Sequence, residues 1–428
     1  LGTELCEPLS FKGRMGTGKS GGRYNYKIKE LRTKYDWEKY IYNYRIWGRL
    51  NYNPNTNKDN YLRYLNFYFG SCHKDISNAL ANASRILPFV TLVHGVSASN
   101  NSYWPEMYEN MSIVSKGPWL PYSYDLHKNS RFGMATSCDP QLIMSPKEMV
   151  DRIFNSKTIN KYSPLTMILW LDKFSQNAKY HIFKAAKKIN KENNYDFLRI
   201  YVDVIIQSSV GKFFTYKFKA SILWEYYLLT LNKNVGEEAL KNYIKARNAW
   251  KISAEISKKY YLPDLSYGPQ SWLRGRWDDR LPAIEQDILD MNKILHKNTK
   301  INTKRKKDLL FINYIKNWNN NQNILVNHSN PKNFIKRKKI SLSCKINSSK
   351  NLLGYLHYRE VNQSKNWLKR KLVKIKNVYN FTIPANFTDT DYPIQYYFEF
   401  ENKQFSSFAP GFNKFLSNQP YYLLRQKN

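Results

Sequence analysis

Residues Gly13-Arg14-Met15-Gly16-Thr17-Gly18-Lys19-Ser20 satisfy the expression GxxxxGK[ST], whose backbone amides and lysine cradle nucleotide phosphates when the loop joins a buried strand to a helix. The surroundings do not supply that frame. Glu7-Pro8 interrupts the segment upstream, and Gly21-Gly22 falls where the helix would begin. The one Walker-B-like string, Met167 to Asp172, has helical rather than strand periodicity, so a P-loop nucleotide-binding protein is only a minor alternative. Cys6, Cys72, Cys138 and Cys344 lie far apart, with no CxxC pair and no histidine at ligand spacing. They signal neither a zinc site nor a disulfide framework, and the compartment stays open. His94 closes an apolar run and reads as a helix-end or hydrogen-bonded histidine rather than a metal ligand. Arg274-Gly275-Arg276-Trp277-Asp278-Asp279-Arg280 sets both charge signs beside a Trp, and is read as a salt-bridged interdomain clasp in preference to a sugar site.

These residues must be held by elements whose periods are legible. Asp36 to Leu50 is an aromatic-rich amphipathic run broken by Asn53-Pro54, and Lys58 to Phe69 is a second helix closed by Gly70. A third is expected from about Asp75 to Val93. Residues 95–140 carry Gly, Pro, Ser and Asn at short intervals with aromatics between, which suggests a long ordered excursion packed on something larger. Ser145-Pro146-Lys147-Glu148 has the form of a capping box with Pro at the first helical position, and Ser163-Pro164 repeats the Pro. Met167, Leu171, Phe174, Ala178, Ile182, Ala185 and Ile189 step by three or four, the stripe of an amphipathic helix. The next helix, Tyr195 to about Leu231, is apolar nearly all round and should be central. Gly236 to Tyr260 and Leu281 to Leu295 complete an expected antiparallel bundle. The last ninety or so residues change to period two, with Ile340, Leu342, Cys344 and Ile346 and then Ile394, Tyr396, Phe398 and Phe400 alternating. They predict a small β-sandwich that braces the helical unit.

At 428 residues the chain exceeds one ordinary hydrophobic core, so two or three folded units are expected. Its 42% apolar fraction is ample for packed cores, and no stretch approaches about 20 unbroken apolar residues. A soluble chain without a membrane role follows. The formal charge is +35, yet only 19 of the 68 basic residues are Arg and Asn is also abundant. Lys and Asn rise together in AT-rich coding sequence, whereas a nucleic-acid surface would favour the arginine fork. Residues 296–340 hold 12 Lys or Arg and one Asp, which concentrates about a third of the net charge in a solvated connector.

Tyr44-Arg45-Ile46-Trp47-Gly48-Arg49-Leu50-Asn51-Tyr52-Asn53-Pro54, followed by Phe69-Gly70, resembles the start of the helical domain that follows the catalytic (β/α)8 barrel in alpha-glucuronidases and related large glycoside hydrolases. Ala83-Ser84-Arg85-Ile86-Leu87-Pro88 and Tyr103-Trp104-Pro105-Glu106 are similar to the same region. Tyr392-Pro393, Gln395-Tyr396-Tyr397-Phe398 and Gln419-Pro420-Tyr421 resemble a β-sandwich appended to such enzymes. The resemblance implies an α+β multidomain chain: a barrel remnant over 1–34, a mainly α-helical domain over 35–295, a basic linker over 296–337 and an antiparallel β-sandwich over 338–428. It implies the C-terminal part of a glycoside hydrolase acting on complex acidic polysaccharide, with the catalytic carboxylates in an upstream barrel, and the lack of an initiating Met is read in the same sense.

On that reading Leu5 to Phe11 is the last barrel strand, and the following Gly-rich loop brings Lys12, Arg14 and Lys19 toward a substrate carboxylate. Glu7, at the strand end, is an acid or base candidate without a visible partner. Tyr103, Trp104 and Glu106 are placed at the substrate, while Trp47, inside a helical run, is read as core. The implied partner is an oligosaccharide or polysaccharide, and no cofactor is implied, since glycoside hydrolysis is usually carboxylate chemistry. The competing reading is a basic nucleic-acid-binding or ribosome-associated protein, which would show a cationic stripe with interleaved exposed aromatics.

Overall fold

The computed structural model describes residues 25–94, 111–115, 131–263, 265–266, 274–297, 306–318, 324–347, 352–362, 364–402 and 406–427. It divides into two compact units, the first formed by 1–138, 145–147 and 164–317 and the second by 139–144, 148–163 and 318–428. The first is helical and the second is rich in antiparallel sheet, so the chain is an α+β multidomain protein.

The helices in chain order are α1 (Ile41–Tyr52), α2 (Lys58–Phe69), α3 (His73–Ala83), α4 (Ile86–Val93), α5 (Pro146–Phe154), α6 (Pro164–Ala186), α7 (Tyr195–Thr230), α8 (Lys233–Tyr260), α9 (Leu281–Lys297) and α10 (Lys306–Asn317). Asparagines start several of them. The Asn57, Asn194 and Asn232 side chains accept hydrogen bonds from the first free amides of α2, α7 and α8, satisfying donors that a helix cannot pair internally. Gly70, at φ +50°, ends α2. The helix expected from Asp75 to Val93 is two, because Ser84–Arg85 interrupts it between α3 and α4. Lys58–Val93 includes an 18-residue window apolar enough to cross a membrane, but the breaks at Gly70 and Ser84–Arg85 divide it into three short helices.

Helix α7 is the axis of this unit, with buried residues on every side from Phe197 to Tyr227. The expected α6 stripe, Met167, Leu171, Phe174, Ala178, Ile182 and Ala185, is buried. Ser253 Oγ bonds Ile206 O at 3.2 Å, Trp250 packs edge-on against Phe213 and Gly236 lies against Tyr227. These pairings run in opposite chain order, so α7 and α8 are antiparallel. Gly211 sits where α7 meets α6, and a Cβ there would collide with Ser175 Oγ and Ile86.

Part of the segment expected to be a basic linker is helix. In α10, Phe311 stacks on Tyr226 at 3.9 Å, and buried Asp308 accepts from Tyr226 Oη at 2.9 Å and Asn232 Nδ2 at 2.7 Å. Its single acid outweighs the solvated charge around it, because it meets two buried donors.

A short pair, β1 (Leu265–Ser266) with β2 (Arg274–Gly275), belongs to the helical unit. The second unit contains β3 (Leu325–Asn327), β4 (Asn333–Phe334), β5 (Ile340–Asn347), β6 (Leu353–Glu360), β7 (Leu368–Lys371), β8 (Val373–Ile375), β9 (Val378–Ile383), β10 (Ile394–Glu401), β11 (Ser406–Ala409) and β12 (Tyr422–Gln426). Strands therefore begin before residue 338. One sheet runs β4-β12-β10-β6-β7 with β11 also on β10, and the other runs β3-β5-β9-β8. All pairings are antiparallel except β12 with β4. Alternate residues of both sheets, among them Leu342, Cys344, Tyr379, Leu356, Tyr396 and Phe398, fill one shared apolar interior.

Gly211→Val should destabilise the chain by about 1–3 kcal/mol through overpacking, read from the urea midpoint. A midpoint equal to wild type would mean that α6 can move away from α7 without cost.

Candidate functional site

The residues singled out for chemistry from the sequence, Glu7, Lys12, Arg14, Lys19, Tyr103, Trp104 and Glu106, lie outside the described residues, as does the P-loop-like stretch Gly13 to Ser20. The segments that lead into them are described. Where the chain enters the helical unit, Lys27 N bonds Tyr260 O at 2.8 Å and Tyr26 stacks on Tyr261 at 4.9 Å. Lys39 Nζ lies among the rings of Tyr26, Tyr40 and Tyr261, donates to Tyr261 Oη at 3.0 Å and pairs with Asp203 at 3.4 Å. Burial pushes the Tyr26 hydroxyl up to about 12. A lysine in this position satisfies an aspartate and three ring faces at once.

The excursion is pinned by a second buried network. Lys217, on α7, is fully buried, donates to Met111 O at 2.7 Å and lies over Phe132 at 4.7 Å. Asp287 on α9 accepts the Ile113 amide at 2.9 Å and the Ser112 hydroxyl. Burial raises its carboxyl, against the pull of Lys217 and these donors. Arg131 reaches Glu225 with a two-pronged pair at 2.8–3.2 Å. Residues 111–115 and 131–138 are thereby held on α7 and α9, while 95–110 and 116–130 of the expected excursion lie outside the described residues. His94 stacks on Phe132 at 4.1 Å, with Nε2 at 3.1 Å from Phe132 O, a hydrogen-bonded helix-end histidine.

Two further expectations change. Trp47 is 38% exposed on α1 rather than core, since Tyr42 occupies the buried position of that helix and Ile46 packs beside it. The Arg274 to Arg280 clasp is salt-bridged, with Arg276 Nε at 2.5 Å from Asp278 and Nη1 on Tyr261 O at 3.1 Å, but these bonds all lie within the helical unit. Asp172, the end of the Walker-B-like string, is helical and paired with Lys212.

A further cluster of titratable groups that sequence reasoning missed lies on the second face of the larger sheet. Ile394, Tyr396, Phe398 and Phe400 point into the shared interior, so Gln395, Tyr397, Glu399 and Glu401 share the opposite face with Tyr355, His357 and Arg359 of β6. Glu399 is wholly buried and accepts from His357 Nε2 at 2.6 Å, Lys369 Nζ at 2.8 Å and Ser406 Oγ at 3.2 Å. His357 stacks flat on Tyr397 at 4.4 Å. Trp367 meets Tyr397 edge-on, and the Arg359 guanidinium lies 4.4 Å over the Trp367 ring. Residues 139–141 are tied to this layer: Asp139 pairs with Arg359 at 3.5 Å, and Gln141 accepts the Trp367 amide at 2.9 Å.

Burial acts to raise the Glu399 carboxyl, but His357 and Lys369 outweigh it and hold the group below its ordinary value. Glu401 is raised, by burial and then by the charge of Glu399. Two carboxylates pushed apart in this way can divide acid and base roles, yet Glu399 has no face open to a substrate. The cluster is an anchoring ion network. Among the described residues no group of three or more His, Cys, Asp or Glu could hold a metal ion.

No protein-family model matches the chain, and no curated protein matches it. Among solved structures, it is similar to one described as a GH138 enzyme targeting pectin rhamnogalacturonan II. The TM-score is 0.52 at 16% identity, over 64% of this chain and 40% of that one. The shared property is the fold. This chain spans about two fifths of that enzyme's length.

His357→Gln removes one of three hydrogen-bond donors from the buried Glu399 carboxylate, and should cost about 2 kcal/mol. The lowered Glu399 contributes stability above the ordinary carboxylate range that is lost as pH falls through its folded value. The raised Glu401 acts in the opposite sense, gaining from protonation. Glu399→Gln should therefore flatten the acid limb of stability against pH. An acid limb identical to wild type would assign acid sensitivity to other groups.

Proposed function

We propose that this chain is the C-terminal part of a glycoside hydrolase of the alpha-glucuronidase-like kind, acting on complex acidic polysaccharide, with its catalytic acid and base on a preceding (β/α)8 barrel. The observation that carries the reading is the fold shared with a pectin-targeting GH138 enzyme over 64% of this chain. The helical-domain strings Tyr44 to Pro54 and Ala83 to Pro88 support it independently. Among the described residues, Glu399 and Glu401 are carboxylates shifted in opposite directions, and Glu399 is wholly buried in the sheet unit. In this reading Lys12, Arg14 and Lys19 meet a uronate, Tyr103, Trp104 and Glu106 line the substrate, and Glu7 is a secondary acid or base candidate.

A polypeptide carrying the barrel together with this chain should release reducing ends from pectic polysaccharide, and residues 1–428 alone should release none. Cleavage by residues 1–428 alone would move the catalytic pair into this chain. Inactivity of the longer protein, with steep salt-dependent affinity for RNA, would favour a nucleic-acid-binding protein instead. In the longer protein Arg14→Ala should weaken binding of a uronate-containing oligosaccharide by about 1.5–3 kcal/mol, with Lys19→Ala weaker in effect. Neutral oligosaccharides should be indifferent to both, as isothermal titration would show.

A further inference from the structure

Glycine inside an α-helix is costly, because it gives up more backbone freedom than any other residue and has no side chain to pack. In α7 and α8 the cost has a reason. A Cβ at Gly211 would strike Ser175 Oγ and Ile86, and one at Gly236 would strike Leu295 and Tyr227, so each glycine lets a neighbouring element come close. Gly48, in the body of α1, has no such neighbour among the described residues. A Cβ there would meet nothing within 4 Å.

The sides of α1 are fixed by its contacts. Tyr42 is buried and Ile46 packs beside it against the helical core, while the Arg45 guanidinium lies 4.9 Å over the Tyr64 ring of α2. At about 100° per residue, Gly48 stands about 120° from Tyr42 and about 160° from Ile46 around the helix, and so on the outward face. Tyr44 and Tyr52, one turn to either side, share that face. Tyr52 is 94% exposed, and the exposed Trp47 borders the same stripe. A glycine floor between aromatic walls is the form of a seat for a closely packed helix, since helix axes approach nearest where the contact side chains are small.

We propose that this outward face of α1, floored by Gly48 and walled by Tyr44, Trp47 and Tyr52, is the surface on which the preceding catalytic barrel docks. The occupant rests on the glycosidase reading above, and the seat itself rests on Gly48 and the exposed rings. Helix α1 is the first α-helix of the described chain and therefore the nearest in sequence to a preceding domain. The solved enzyme with this fold is matched over 40% of its length, which leaves the larger part without a counterpart here. An uncharged aromatic and glycine surface suits the core of an interface, where charged residues are depleted and aromatic ones enriched.

Hydrogen exchange of the 41–52 amides, read by mass spectrometry, tests this in the 428-residue chain and in the longer protein that carries the barrel. Wild-type exchange should be slower in the longer protein by about tenfold or more. Gly48→Leu should slow exchange about threefold in the 428-residue chain, because leucine favours helix and its side chain enters open space. In the longer protein the same substitution should speed exchange, because the side chain blocks the seat. A glycine with a purely local role does not reverse sign in this way. Tyr52→Ser should change the 428-residue chain by less than about twofold and speed exchange in the longer protein about fivefold, and it carries the test should Gly48→Leu fail to fold. Equal wild-type rates in the two proteins would overturn the docking, as would slower exchange of Gly48→Leu in both. Concentration-dependent protection in the 428-residue chain alone would give the face to a second copy, and concentration-independent protection there would give it to a segment of this chain outside the described residues. Either result overturns the proposal. A longer protein that protects α1 but releases no reducing ends sinks the glycosidase reading and leaves the docking standing.

Discussion

Helix α7 buries apolar residues around most of its circumference from Phe197 to Tyr227, so other elements must surround it there. Most of the helical unit follows from that demand. Helices α6 and α8 cover two sides, α10 adds the Phe311 ring to Tyr226, and segments 111–115 and 131–138 complete the cover. The polar residues within α7 show the same demand in electrostatic form. Lys217 and Glu225 are deeply buried, and each reaches a partner on the excursion, Met111 O for one and Arg131 for the other. An irregular segment without a core of its own is thus ordered by charges it must satisfy on a helix.

The elements legible in the sequence were those with local punctuation. Pro146 and Pro164 open α5 and α6, and Gly70 follows the last residue of α2, because a missing amide and a permissive φ act without reference to distant packing. Elements set by tertiary contacts were less legible. The Ser84–Arg85 break carries no Gly or Pro. Helix α10 lies in a lysine-rich stretch whose only acid makes the decisive contact. Trp47 looks like core in a helical run, but the neighbouring stripe of Tyr42 and Ile46 is the one that packs.

The larger sheet illustrates the same limit for chemistry. Alternation in β10 assigns its apolar residues to an interior, and a simple reading leaves Gln395, Tyr397 and Glu399 in water. All three are buried. The layer over them is tied to Asp139 and Gln141, far away in sequence, so it follows from a crossing that no local period encodes. The candidate substrate residues depended on resemblance instead. Tyr26 stacked on Tyr261 and Ile113 bonded to Asp287 are described residues near them in sequence.

Asp308 has a consequence at the level of the codon. Richness in Lys and Asn is the composition that a drift toward A and T would produce, and a lysine gained on a solvated helix face is close to neutral. One G-to-A transition turns an aspartate codon into an asparagine codon, the direction in which such drift pushes. At position 308 the replacement amide could still accept from Tyr226 through its oxygen, but its nitrogen would face the Asn232 amide donor, two donors opposed in a buried site. A drift that produced this lysine-rich stretch would be one its single acid must resist. Purifying selection should fall on that single guanine while neighbouring lysine codons vary freely.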